Sequence, residues 1–279
     1  MRENRFLMCA PRYFNVEYII NPWMEGQVNN ADSSLAAAQW QDFHSVLSRY
    51  AEIALLPSQP GLPDLVFTAN AAIVQNKTAI LSRFNHPERQ GEEPFYQRWL
   101  EQDGFEVEVL PDDLAFEGAG DALFDREAAV LWFGHGHRSS PRAAPRLEAA
   151  FGMEVVSLQL TDPRFYHLDT CFCPLEGGYL IWNPGAFDAA AVANVKSRVA
   201  PEKRLAVSET DALDFACNAV NAGRAVILNR ATAGLRDWLE VRGFEVLETP
   251  TSEFLRAGGS TKCLTLRLDE AAQTQLVSR

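Results

Sequence analysis

The chain lacks any run near the roughly 18 uninterrupted apolar residues of a membrane helix. Its start, Met1-Arg2-Glu3-Asn4-Arg5, leads into an apolar run too short for a signal peptide, so a cytoplasmic protein without a membrane partner is expected. Basic charge is scarce: 25 Lys and Arg stand against 37 Asp and Glu, for a formal net charge of -12. That balance argues against a nucleic-acid backbone as partner. The five cysteines, Cys9, Cys171, Cys173, Cys217 and Cys263, are odd in number and make a poor disulfide framework for 279 residues. Metal-ligand spacing is missing as well. Cys171-Phe172-Cys173 has a single intervening residue and, read as a strand, sends its two thiols to opposite faces. His135 and His137 share that spacing and are expected on one strand face, but no second Cys or His pair accompanies them, so no metal site is expected.

What is present is a globular composition, 47% apolar and 22% charged, arranged as a degenerate repeat. Five segments place a polar turn ahead of an apolar strand: Thr68 to Val74, Gly118 to Phe124, Leu168 to Cys173, Phe215 to Val220 and Thr261 to Leu266. With Ala71, Asp121, Cys171, Asn218 and Cys263 taken as equivalent, the separations are 50, 50, 47 and 45 residues, the size of one supersecondary unit. Return strands follow at Thr78–Leu81, Ala128–Phe133, Tyr179–Trp182 and Ala225–Leu228, then helix-like stretches such as Phe95–Gln102 and Leu235–Val241, then third strands such as Gly104–Pro111 and Gly243–Pro250. Such strand, strand, helix, strand units cannot bury their faces alone, and several arranged radially close a ring. Phe6–Cys9 is expected to complete the last unit, whose own helix and return are missing at the C-terminus. The alternative is an open doubly wound sheet, in which the polar turns would not converge.

A ring brings the residues ahead of each first strand into one cleft. Gly258-Gly259-Ser260-Thr261-Lys262-Cys263 presents a thiol from a small-residue turn, although a lone cysteine at a strand start is inert unless a base and a substrate cradle accompany it. His167 precedes the third unit, with Asp169 two residues on and so on the same face of an extended backbone. Glu117 sits beside Gly118 and Gly120, and Asp64 lies six residues before Asn70. Singly, these carboxylates read as turn formers or surface charges and His167 as a hydrogen-bonding group; their repeated position raises them together.

With these residues in place, the chain resembles the guanidino-group-modifying superfamily of five-fold pseudosymmetric α/β propellers, which includes arginine deiminases, dimethylarginine dimethylaminohydrolases and glycine amidinotransferases. The resemblance runs from Asn21-Pro22-Trp23-Met24 through Pro63 to Asn70, Phe116 to Asp121 and His167 to Thr170, ending at Gly258 to Cys263. It implies one catalytic domain over residues 1–279, with Cys263 attacking the guanidinium carbon, His167 as general acid and base, and Glu117 completing the catalytic set. It further implies Asp169 as a guanidinium ligand, Arg89 and Arg138 on the substrate carboxylate, and Asp64 and Asn21 among the substrate-binding residues. No cofactor or metal is required, the partner is a small guanidino compound, L-arginine first, and a homo-oligomer is compatible with the chain.

One position departs from the deiminase pattern. Where deiminases and dimethylarginine hydrolases carry an aspartate that grips the guanidinium, this chain has Asn70. An amide can both accept and donate, so it can serve a cationic guanidinium and then a neutral urea. The segments around Asn21 and Asn70 are similar to those of the arginine dihydrolase branch, whose members look able to hydrolyse the retained citrulline again, giving ornithine, carbon dioxide and two ammonia. That branch commonly carries a further C-terminal domain outside these 279 residues, so the resemblance carries the chemistry rather than the pathway role. The expected function is therefore arginine dihydrolysis. Deimination to citrulline, methylarginine hydrolysis, citrulline or ureido hydrolysis and amidino transfer remain as alternatives, with a non-catalytic arginine-binding scaffold as the reading of a different class.

Overall fold

Short apolar strands alternate with capped helices along the chain, and the structure, a computed structural model, describes residues 4–270. β1 (Asn4–Cys9), α1 (Ser33–Leu47) and β2 (Ala51–Leu56) come first. Four units follow: β3 (Ala72–Gln75), β4 (Thr78–Leu81), α2 (Glu93–Gln102) and β5 (Glu106–Val109); β6 (Ala122–Phe124), β7 (Val130–His135), α3 (Ala144–Phe151) and β8 (Glu154–Gln159); β9 (Phe172–Leu175), β10 (Tyr179–Trp182), α4 (Ala189–Arg198) and β11 (Arg204–Ala206); β12 (Val220–Ala222), β13 (Ala225–Leu228), α5 (Ala233–Val241) and β14 (Glu245–Glu248). β15 (Leu266–Arg267) then pairs antiparallel with β1 through Phe6 opposite Arg267 and Leu7 opposite Leu266, so the two ends of the chain share the fifth sheet. In all five sheets the first pair of strands is antiparallel and the second parallel. The chain forms the expected five-fold pseudosymmetric α/β propeller.

Local chemistry explains the pattern. The β3–β4 and β12–β13 hairpins turn at Asn76 and Gly223, whose positive φ of 55° and 60° suits Asn and Gly. A parallel third strand needs a crossover, which each helix supplies. In α1 the Asp32 carboxylate accepts from the backbone N–H of Ser34 and Leu35 at 2.9 and 3.0 Å, and Ala36, Trp40, Phe43 and Leu47 bury one face. Val74, Leu123, Phe172, Val220 and Leu266, one from each unit's first strand, line a single apolar cavity. That placement sets the first strands innermost, with helices outside.

Two expectations about local geometry are corrected. Leu168–Thr170 forms a 3-10 turn rather than an extended segment, as do Thr68–Asn70 and Gly118–Gly120, so His167 and Asp169 do not share a strand face. β7 stops at His135 because Gly136, at φ 122°, turns the chain, and His137 lies beyond the strand. Among the described residues no helix is long and apolar enough to cross a membrane.

Candidate active site

The glycines ahead of Cys263 are required by crowding. A Cβ at Gly258, where φ is 81°, would come within 2.9 Å of both Asn21 Oδ1 and Tyr166 Oη, and one at Gly259 would strike the Phe67 ring. The turn they allow places the buried Cys263 Sγ 3.1 Å from the donating Asn218 Nδ2, and 3.8 and 3.6 Å from Asp169 Oδ1 and Oδ2. Burial pushes the Cys263 thiol well up, with Asp169 adding to the rise, while Ser260, Asn218 and Lys262 oppose it. Burial likewise lifts Asp169 to about 7 against the pull of the Lys262 ammonium. In the free protein the sulfur therefore keeps its proton.

The histidine lies in a second buried group. His167 Nε2 is 2.7 Å from Glu117 Oε2, which also accepts from Arg138 Nη1 at 3.2 Å, while Glu117 Oε1 accepts from the Asn85 backbone N–H at 3.2 Å. Burial disfavours the Glu117 carboxylate, but Arg138 and His167 outweigh it and hold the group well below the usual carboxylate range. Burial pushes His167 down to about 4 despite its bond to Glu117, so the imidazole is neutral at pH 7 beside an ionised carboxylate. Asp121 steadies both partners. Its Oδ1 accepts from the Leu168 backbone N–H at 3.0 Å, and its Oδ2 accepts at 2.6 Å from Ser139 Oγ, which itself accepts from the Glu117 backbone N–H at 3.0 Å.

Asn70, Asp64, Arg89, Arg138, Asn21 and Cys263 line one small polar cavity with Ile20, Met24 and Tyr166, leaving only about 10 Å³ of water-sized room. Asn70 is used on both sides: Nδ2 donates to the Glu117 carbonyl at 3.3 Å, and Oδ1 accepts from Arg89 Nη1 at 2.9 Å. Glu92 holds Arg89 through two bonds of 2.8 Å. Arg138 donates to the Ile20 carbonyl at 2.9 Å and stacks 4.5 Å over Tyr166. Asp64 Oδ2 accepts from Tyr18 at 2.9 Å, whereas among the described residues its buried Oδ1 has no hydrogen-bond partner. Asn21 Nδ2 donates to the Ala257 carbonyl at 3.0 Å, tying the lining segment Ile20 to Met24 to the turn before Cys263.

The family model for eukaryotic N,N dimethylarginine dimethylhydrolase matches residues 17–269. The chain belongs to the guanidino-modifying enzyme superfamily, in its arginine dihydrolase branch. It is 52% identical, over 98% of its own length, to the bifunctional arginine dihydrolase/ornithine cyclodeaminase AgrE of Nostoc sp., of which it spans 39%. The N-terminal domain of ArgZ, an arginine dihydrolase from the ornithine-ammonia cycle in cyanobacteria, is 50% identical as a cysteine-to-serine mutant bound to substrate, with a TM-score of 0.96 over 97% of this chain and 100% of that one. An asparagine-to-serine mutant of the same domain, covalently bonded to a reaction intermediate, matches with the same identity, TM-score and coverage.

Every site residue expected in this family member from its sequence lies in the polar cavity or is bonded to a group beside it. Reading the sequence missed Tyr18, Tyr166, Glu92 and Ser139, and gave Asp121, Asn218 and Lys262 no role. Asp121 and Asn218 did carry a signal, because they occupy the repeat position that Cys263 fills in the last unit. The apolar axial cavity contains neither Cys263 nor His167 and has Lys262, next to the thiol, in its wall.

Proposed function

We propose that residues 1–279 form one catalytic domain that hydrolyses the guanidino carbon of L-arginine through a covalent Cys263 intermediate, twice in succession, giving ornithine, carbon dioxide and two ammonia. Residues 1–3 and 271–279 of that domain lie outside the described residues. The observation that carries this reading is a single small cavity lined by a thiol, two arginines, a buried carboxylate and Asn70. The substrate-bound and covalent-intermediate structures of the ArgZ domain support it.

Arg89 and Arg138 suit the substrate α-carboxylate, and the unpaired Oδ1 of Asp64 suits its α-ammonium. At the other end the guanidinium lies against Asp169. Its positive charge there favours the thiolate and the ionised carboxylate over their protonated forms. Neutral His167 takes the thiol proton, the thiolate adds to the guanidinium carbon, and His167 returns the proton to the departing ammonia. Glu117 stabilises the imidazolium between these steps. His167 then deprotonates a water that displaces the sulfur and leaves a urea. A second passage of thiolate and water consumes that urea and releases ornithine, carbon dioxide and the second ammonia.

Asn70 suits both passages, since its carbonyl can face a guanidinium N–H and its amide N–H a ureido oxygen, whereas an ionised aspartate only accepts. Mass spectrometry of arginine digests tests the reading. Wild type should yield ornithine, Asn70→Asp should accumulate citrulline, and Cys263→Ala should stay folded and yield neither. Citrulline as the sole wild-type product would reduce the reading to deimination, and undiminished ornithine from Asn70→Asp would remove Asn70 from control of the second hydrolysis.

A further inference from the structure

We infer that Asn218 is a catalytic residue, its side-chain amide donating to the Cys263 sulfur and holding it as the attacking thiolate. The inference rests on Cys263 being the nucleophile. Asn218 is fully buried, and all four of its side-chain hydrogen-bonding positions are engaged. Oδ1 accepts from the backbone N–H groups of Ser260 and Cys263, each at 3.1 Å, and Nδ2 donates to the Asp169 carbonyl at 3.0 Å and to Cys263 Sγ at 3.1 Å. The backbone carbonyl of Asn218 accepts from Thr261 Oγ1 at 2.7 Å and from the Lys262 N–H at 3.1 Å. One residue therefore fixes the nucleophile turn, the turn carrying Asp169 and the sulfur itself.

The two ends of the amide do different work. Oδ1 shapes the turn, which any acceptor of that shape could do. Among the described residues Nδ2 is the one side-chain donor given to the sulfur, and a donor favours the anion over the thiol. Among the described residues the other groups acting on the sulfur are the Ser260 backbone N–H, which also favours the anion, the Asp169 carboxylate, the Lys262 ammonium and the Tyr166 phenol. Lys262 is half-buried, and among the described residues its ammonium reaches the Ala119 carbonyl, at 3.4 Å. Asn218 thus supplies directed stabilisation at the atom that must become negative.

The test separates the two ends. Asn218→Asp keeps the acceptors for Ser260 and Cys263 and removes the amide donor. Alkylation of Cys263 by iodoacetamide at pH 8, located by peptide mass spectrometry, should slow at least tenfold in the folded variant, with kcat falling by a similar factor and KM for arginine nearly unchanged. A purely structural residue would lower the unfolding temperature and leave the alkylation rate of the folded protein as in wild type, which would overturn the inference. A second measurement leaves Asn218 intact. By NMR, Cys263→Ala should move the Asn218 amide proton facing the sulfur and speed its exchange, while its geminal partner on the Asp169 carbonyl stays in place. Unchanged behaviour of both protons would also overturn it. Turnover retained by Cys263→Ser would instead remove the nucleophile reading on which the inference stands.

Discussion

At the scale of single residues, the site is two proton-holding groups set to opposite states. Glu117 is kept ionised by Arg138 and His167, while burial raises Asp169 to about 7. A neutral Asp169 cannot pair with a guanidinium, so kcat/KM for arginine should climb with pH through about 7 as this carboxyl ionises. Asp169→Asn should flatten that limb and lower kcat/KM by about 2–5 kcal/mol of transition-state binding, which a pH-rate profile of both proteins measures. The same shift acts on stability. Between the ordinary aspartate value of 3.8 and about 7 the folded state holds a proton that the unfolded chain has released, so this group lowers stability as pH rises across that window. These assignments were only partly readable beforehand. Cys263, His167, Glu117 and Asn70 stood out through their repeated position, but Tyr18, Tyr166 and Glu92 act through contacts between segments far apart in the chain, such as Tyr18 on Asp64, which no local spacing encodes.

At the scale of elements, strands were the legible part. Dense β-branched and apolar runs bounded by Asn or Gly marked most of the first and second strands of each unit. α1, β2, α4 and β11 were not anticipated. The apolar face of α1 is interrupted by exposed Leu35 and by Gln39, and β11 is three residues long with no fully buried member. Among the turns ahead of the first strands, the one carrying His167 and Asp169 was misjudged as extended because a three-residue 3-10 turn leaves no periodic signature. Helix termini offer a test of stability apart from chemistry. Asp32→Ala removes the α1 cap and should cost about 0.5–2 kcal/mol in urea unfolding, with the ratio of ornithine to citrulline from arginine unchanged.

At the scale of the whole molecule, near-symmetry is put to chemical use. The repeat position of one unit reaches the reactive turn of the next: Asp121 holds the backbone after His167, and Asn218 holds the backbone of Cys263. Each reactive side chain is thus braced by its neighbour in the ring. The general architecture was legible because a period of 45 to 50 residues survives even where local elements blur. The small polar cavity, with its roughly 10 Å³ of spare room, has a kinetic meaning. An enzyme that acts twice on one carbon is a race between the second attack and escape of the half-finished product, and a narrow site lined by buried side chains slows the escape. Isotope dilution reads the race directly: with labelled arginine and a large excess of unlabelled citrulline, ornithine should keep nearly the full label. Label lost to the citrulline pool would mean that the intermediate leaves and returns, and that each arginine is completed in two visits rather than one.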